Sequence, residues 1–320
     1  MTCLPKISII TPSYNQGMFI EQTIQSVIDQ AYPNYELIII DGGSTDETID
    51  IIQKYAPYIT YWVSEKDNGQ ADAINKGLQV ATGDIFNWIN SDDFLEPGAL
   101  HAVGNFFHAN PHTHVLCGYT RCFWDEDNIT SHEYRMGVRN TIADTITSIE
   151  MNQPGTFYKT SIIRELGGIN ASLRYVFDDE LWFRFLCEYG LGKVGFIEDR
   201  LAQFRLHGHS KSVGEGYELF HKELNTIYAS MLNQMNAPLW LRAIIEEEFQ
   251  NVKYQPVKEW KFQYLELSRF VAHFAHRYIN TLYIKGHIKE AKEAMRLIID
   301  NGYFRNNRIL LSLRLKLLFK

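Results

Sequence analysis

The apolar positions of this chain alternate between two rhythms, short continuous runs and helical repeats. Lys6 to Thr11 is a β-branched run stopped by Pro12, which predicts a first strand. After the loop chemistry of Ser13-Tyr14-Asn15-Gln16-Gly17, Ile20, Ile24, Val27 and Ile28 recur at i, i+4, i+7 and i+8. That spacing predicts one face of a helix ending before Pro33. Leu37 to Ile40 predicts a second buried strand, closing on Asp41-Gly42-Gly43. Ser44-Thr45-Asp46-Glu47 has the spacing of a capping box and predicts a helix through Tyr55, with Ile49 and Ile52 inward. Ile59 to Val63 predicts a third strand, Gln70 to Ala81 a third helix, and the run from Ile85 to Ile89 a fourth strand. Three β-α units feeding a fourth strand predict a parallel, doubly wound sheet with right-handed crossovers.

In open α/β sheets, ligands bind outside the carboxyl ends of the strands. Asp41, Glu65 and the adjacent pair Asp92-Asp93 all fall at that edge. Two neighbouring carboxylates suit Mg²⁺ or Mn²⁺ carrying a substrate phosphate; the same pair also fits an Asx turn closing a strand.

Composition narrows the class without choosing the chemistry. The chain has 320 residues, 45% hydrophobic and 22% charged, enough for one large domain or two ordinary ones. A net charge of -7 argues against nucleic acid as the main partner. Cys3, Cys117, Cys122 and Cys187 show no CxxC pairing, so reduced structural thiols are expected. No charged-then-apolar leader and no apolar run near 18 residues are visible, and a cytoplasmic protein without a membrane span is expected.

The motifs point further. Ile-Ile-Thr-Pro-Ser-Tyr-Asn-Gln from residue 9, Asp41-Gly-Gly-Ser-Thr-Asp46, Asp67-Asn-Gly-Gln-Ala-Asp72-Ala-Ile-Asn75-Lys76-Gly77 and Asn90-Ser-Asp-Asp93 follow in order. Later come Asn152-Gln153-Pro154-Gly155, Phe177-Asp178-Asp179-Glu180-Leu181-Trp182 and Phe204-Arg205-Leu206-His207-Gly208-His209-Ser210-Lys211-Ser212. Together they resemble the family 2 inverting glycosyltransferases of the GT-A fold, from residue 7 to about 212. The resemblance implies a Rossmann-like, mostly parallel sheet flanked by helices over residues 1–215, with an all-helical C-terminal extension over 216–320.

It also implies a nucleotide diphospho-sugar donor, UDP-sugar foremost, and a saccharide or lipid-linked saccharide acceptor of bacterial surface-polysaccharide type. Thr11, Pro12 and Tyr14 would border the nucleotide, and Asp41 would accept the N–H of a uracil ring. Asp72 would lie near the diphosphate or ribose, although Asp in a first helical turn also favours the helix dipole. Asp92 is expected at the ribose and Asp93 on the metal, Mn²⁺ or Mg²⁺, which would neutralise charge on the leaving diphosphate. The family often carries Asp where this chain has Asn90. Asp178 is the implied general base, with Asp179 as the alternative on the acceptor side and Glu180 as the family's second acid. Arg205 and Lys211 would offset phosphate charge, His207 would ligate the metal or an oxygen, and Gln153 and Gly155 would lie on the acceptor side.

Two look-alike motifs fall away. Asp125-Glu126-Asp127 is a literal DxD, but it separates extended segments and predicts a hairpin turn. Gly190-Leu-Gly192-Lys-Val-Gly195 follows a helix and precedes a strand, the reverse of a dinucleotide fingerprint.

From about Gly216 the pattern is helical. Trp240, Leu241, Ile244, Ile245 and Phe249 mark one helix, Phe262 to Ile284 another, and Gly286 to Ile299 completes a hairpin. Residues 305–320 hold Arg305, Arg308, Arg314, Lys316 and Lys320, no acid and six leucines. Such a helix suits peripheral contact with an anionic membrane, or docking on the domain or on another subunit of a homo-oligomer. Two rival functions stand beside the transferase. A nucleotide-sugar-binding protein without activity would keep the site and lose Asp93 or Asp178. A nucleotidyltransferase would need a Gly-rich, basic first loop, which Ser13-Tyr14-Asn15-Gln16 lacks.

Overall fold

The computed structural model describes residues 4–208, 210, 216–239, 241, 254–303 and 308–318. Among them, nine strands form one mixed sheet, most of it in the order 61–64, 35–41, 7–13, 85–88, 156–159, 115–124, 194–206 and 94–95, with 130–134 paired on 115–124. The first half follows the predicted βα rhythm. Strands β1 (Ile7–Ser13), β2 (Tyr35–Asp41), β3 (Tyr61–Ser64) and β4 (Ile85–Trp88) alternate with α1 (Gly17–Ile28), α2 (Thr48–Lys54) and α3 (Gln70–Val80). All three pairings among these strands are parallel. Both faces of this half are covered. Ile7, Ile9, Leu37 and Ile39 pack into the core beneath α1, while Ile10, Ile38, Ile40 and Trp88 pack into the core that holds α3. That is why the strands are continuously apolar rather than alternating.

One expected detail is different. The Ser44–Glu47 segment does not act as a capping box; the helix starts at Thr48, and the Glu47 side chain caps nothing. Asp46 does the capping, accepting from the Thr48 N–H at 3.1 Å and hydroxyl at 2.5 Å, and from Gly17 N–H at 3.0 Å. Ser44 is engaged by Asp41 and Asn15 instead.

The second half adds β5 (Phe94–Leu95), α4 (Ala99–Ala109), β6 (Val115–Trp124), β7 (Thr130–Tyr134), α5 (Ile142–Ser148), β8 (Thr156–Lys159), α6 (Thr160–Glu165), α7 (Phe177–Tyr189) and β9 (Val194–Leu206). Strand β8 runs antiparallel to β4 and β6. Strand β6 pairs with β8 through its first residues, then with β7, as the expected hairpin around 125–127.

Helix α8 (Gly216–Gln234) is followed by helices Leu267–Ile284, Ile288–Asp300 and Arg308–Leu318. The pair 267–284 and 288–300 is the expected hairpin, although the first helix begins at Leu267 rather than Phe262. Most of the helix expected around Trp240 to Phe249 lies outside the described residues. The extension shares a buried cluster with α7: Tyr228 stacks on Phe183 at 5.7 Å and meets Phe274 at 4.8 Å.

Candidate active site

The crevice begins where two strands part. The β1–β4 ladder stops at Ile10 opposite Trp88, whereas β1–β2 pairing continues to Ser13 opposite Asp41. Beyond Ile10, β1 has no strand pairing on its β4 side, and Pro12, which has no N–H to offer, falls there. With strand order 3-2-1-4 the gap between β1 and β4 is the topological switch point.

The loop after β4 turns back at once. Asp93 N–H donates to the Asn90 carbonyl at 3.0 Å, and the Asn90 amide donates to Asp93 Oδ2 at 3.0 Å while accepting from Gln70 at 2.6 Å. Thr23 on α1 donates to the carbonyls of Ser91 and Asp93, which fixes the turn from behind. Asp93 is 1% exposed, and its other oxygen accepts the Arg205 backbone N–H at 3.0 Å. Burial pushes its carboxyl well above the ordinary range, the Asp92 charge adds to this, and the Arg205 and Asn90 contacts oppose it. Asp92 is more open; its Oδ2 lies 3.1 Å from His207 Nε2.

A buried carboxylate beside a second one, facing an imidazole, fits a divalent cation in donor chemistry. Among the described residues no group of three or more His, Cys, Asp or Glu could hold a metal alone. Such an ion would therefore take further oxygens from its substrate or from water.

Arg205 lies inward. Its Nε donates to the Asp92 carbonyl, Nη1 pairs with Asp125, and Nη2 donates to Gln22. The guanidinium also sits over Phe19 at 4.9 Å and Phe123 at 5.1 Å. The side chain expected at the phosphates is thus spent on holding the Asp92-Asp93 turn, and the hairpin acid Asp125 serves it. Lys211 and His209 lie outside the described residues. The turn after β9 is closed by Ser210, and His207 packs on Phe19 at 4.8 Å.

On the other side of the switch point Asp41 is fully buried. It accepts from Ser44 N–H and hydroxyl, Gly43 N–H and Ser64 hydroxyl at 2.5 to 3.0 Å. Tyr14 is 60% exposed at the rim, Pro12 is buried, and the buried hydroxyls of Thr11 and Ser13 have no partner among the described residues. Asp72, in the first turn of α3, accepts from Asn68 N–H at 3.0 Å.

Helix α7 brings the third acid group. Phe177 packs on Trp88 at 6.1 Å, which sets the N-terminus of α7 over the end of β4. Its three acids diverge. Glu180 is buried in an ion pair with Arg184 at 2.7 Å and accepts from Asn170 and Tyr254. Asp179 is 2% exposed, its Oδ1 has no partner among the described residues, and burial plus the neighbouring Asp178 charge push its carboxyl well up. Asp178 is half-buried, its Oδ1 3.0 Å from the Asp179 N–H.

Asp178 and Asp93 both act on one phenol. Burial pushes the Tyr134 hydroxyl well above its usual value, and Cys122, Asp93 and Asp178 push it the same way. Gln153 faces back toward β4, donating to Asn87 and the Trp88 carbonyl, so it braces the site rather than opening into it. At Gly155 a Cβ would lie 2.8 Å from Thr120 Oγ1 and 2.9 Å from the Gly118 carbonyl, so only glycine fits.

Sequence reasoning missed Tyr134, Asp125, Gln22 and Glu223. Glu223, on α8, accepts the backbone N–H groups of Arg174, Tyr175 and Val176, the residues leading into α7. No local signal marks it, because its partners lie about fifty residues away. Tyr134 had a faint one, the last aromatic of the second hairpin strand.

The sheet, with its acid-bearing edge at the switch point, has a GT-A-like fold. Residues 8–170, more than half of the chain, match Glycosyl transferase family 2, and the chain belongs to that family. A putative teichuronic acid biosynthesis glycosyltransferase of Bacillus subtilis is 33% identical over 171 residues, 49% of this chain and 67% of that protein. An uncharacterized glycosyltransferase of Rickettsia typhi is 29% identical over 217 residues, 64% of this chain; the match spans 65% of that relative's length. Among solved structures, TarS of S. aureus in complex with UDP aligns with a TM-score of 0.53 at 19% identity, covering 77% of this chain and 71% of that one. A mannosyltransferase from Pyrobaculum calidifontis in complex with GDP-Man and Mn²⁺ aligns over 99% of this chain and 88% of its own, with a TM-score of 0.53 at 17% identity.

Proposed function

We propose that the chain transfers a sugar, with inversion, from a nucleotide diphospho-sugar to a hydroxyl of a saccharide or lipid-linked saccharide. UDP-sugar is the proposed donor, and the UDP complex of TarS supports it. The acceptor class is supported by the teichuronic acid relative. Nucleotide and ribose would lie along Thr11 to Tyr14, with Asp41 shaping the loop below and Asp92 at the ribose side. Arg205 is left out of the phosphate contacts because its donors are already used.

A Mn²⁺ or Mg²⁺ ion would be held by Asp93 and His207 beside Asp92, and when bound it supplies charge neutralisation for the departing diphosphate. The remaining chemistry belongs to Asp178. Its carboxylate takes the proton of the acceptor hydroxyl as that oxygen forms a bond to the anomeric carbon; the bond to the diphosphate oxygen breaks on the opposite face. Asp179, pushed toward its neutral form, is a poor base, and Glu180 is committed to Arg184. The observation that carries this reading is that, of the three acids at the α7 N-terminus packed over the end of β4, Asp178 alone is open to solvent.

The test is thermal stabilisation by UDP and by GDP, with and without Mn²⁺, together with UDP release from UDP-sugars in the presence of saccharide acceptors. Ligand binding to the native state raises apparent stability. The expected result is a Mn²⁺-dependent UDP shift lost in Asp93→Ala, and an Asp178→Asn protein that keeps the shift but loses at least about a hundredfold in turnover. Full turnover in Asp178→Asn would overturn the assignment of the base. Binding without turnover in the wild type would favour a nucleotide-sugar-binding protein.

A further inference from the structure

The helix Arg308–Leu318 has two leucine faces, and among the described residues only one packs against the rest of the chain. Leu310, Leu313 and Leu317 are buried in the cluster formed with the preceding helical hairpin. Leu311, Leu315 and Leu318, spaced i, i+4 and i+7, are exposed by 47%, 49% and 67%. At 100° per residue these three fall within about 60° of one another, on the side away from the docked leucines. Docking and a second contact are therefore compatible on this helix, since they use different faces.

Charge selects the occupant. The chain has a net charge of -7, to which residues 301–320 contribute five Lys and Arg and no Asp or Glu, leaving -12 for the rest. Arg314 and Lys316 are exposed beside the outward leucines. A second copy meeting this helix through a two-fold axis would set like charges against each other. An anionic bilayer complements them. The acidic remainder of the molecule is repelled by such a surface, which orients the protein with this helix toward it. Among the described residues no helix is long and apolar enough to cross a membrane, so the contact would be a peripheral one.

We propose that the face of Leu311, Leu315 and Leu318, flanked by Arg314 and Lys316, is a docking surface for an anionic lipid bilayer. It rests on this helix and not on the donor or acceptor chemistry, so the two readings fail separately.

The experiment is co-sedimentation of the full chain with vesicles of phosphatidylcholine containing phosphatidylglycerol, and with pure phosphatidylcholine, without nucleotide. Binding is expected only to the anionic vesicles, and to weaken several-fold when salt is raised from roughly 0.1 M to 0.5 M. Leu311→Gln/Leu315→Gln should lower affinity by at least about tenfold. Arg314→Gln/Lys316→Gln should lower it about 25-fold, from roughly fivefold per cation. The leucine variant should keep the wild-type melting temperature and UDP response, because the docked face is untouched. Three results would overturn the proposal: no wild-type sedimentation with anionic vesicles, unchanged sedimentation of the leucine variant, or a wild-type dimer that this variant splits while vesicles go unbound.

Discussion

Glu36 sits at the foot of β2, at the opposite end of the sheet from the crevice, and is 2% exposed. Its Oε1 accepts from Ser8 hydroxyl at 2.5 Å, Thr82 N–H at 2.6 Å and Gly83 N–H at 3.1 Å. Its Oε2 accepts from Thr82 hydroxyl at 2.8 Å and pairs with Lys6 at 2.6 Å. One carboxylate thus ties together β1, β2 and the turn entering β4, the strands whose parting makes the site. Burial pushes its pKa up, but the Lys6, Ser8 and Thr82 contacts outweigh it and bring the value from 4.5 to about 2. The folded pKa lies below the unfolded one, so this stability is present above about pH 5 and lost as pH falls toward 2. The shift corresponds to about 3 kcal/mol in full, of which about 2 kcal/mol is gone by pH 3. Urea unfolding of wild type and Glu36→Gln across pH 7 to 3 measures it. The variant should be less stable at pH 7 by up to about 3 kcal/mol, and the two curves should converge on acidification. A gap under about 1 kcal/mol at pH 7, or one independent of pH, would refute the account.

Two further substitutions separate structural from ligand-binding roles inside the crevice. Arg205→Lys cannot make the three-way contact to the Asp92 carbonyl, Asp125 and Gln22, so it should lower stability by about 2 to 4 kcal/mol and weaken UDP binding as the turn loosens. Weakened UDP binding at an unchanged melting temperature would instead make Arg205 a phosphate contact. Asn90→Asp removes the amide donor to Asp93 and sets a carboxylate against a buried one, which should lower the stability of the metal-free protein by about 1.5 to 3 kcal/mol in urea unfolding at pH 7. A variant as stable as wild type would show that the Asn90 amide does not support Asp93.

The parallel half of the sheet and its acid-bearing edge were legible because both rest on local pattern. Short continuous apolar runs between turn signals, such as Leu37–Ile40, fit strands covered on both faces, and right-handed crossovers then place Asp41 and Asp92-Asp93 on one edge. What each side chain does at that edge was not legible, because it depends on partners distant in sequence. Arg205 carries a charge that phosphate would accept, yet Asp125 and Gln22, 80 and 183 residues away, take it first. The Ser44–Glu47 spacing satisfies a capping box, but Asp41 and Asn15 compete for Ser44, and Asp46 caps instead. The three consecutive acids of α7 are alike in sequence and are sorted only by burial, which sends Glu180 to Arg184 and leaves Asp178 open. Position along the chain therefore identifies which residues reach a crevice, and competition among tertiary partners decides which remain available to a ligand. The terminal helix obeys the same rule: six leucines permit either docking or exposure, and the neighbouring hairpin takes one face and leaves the other.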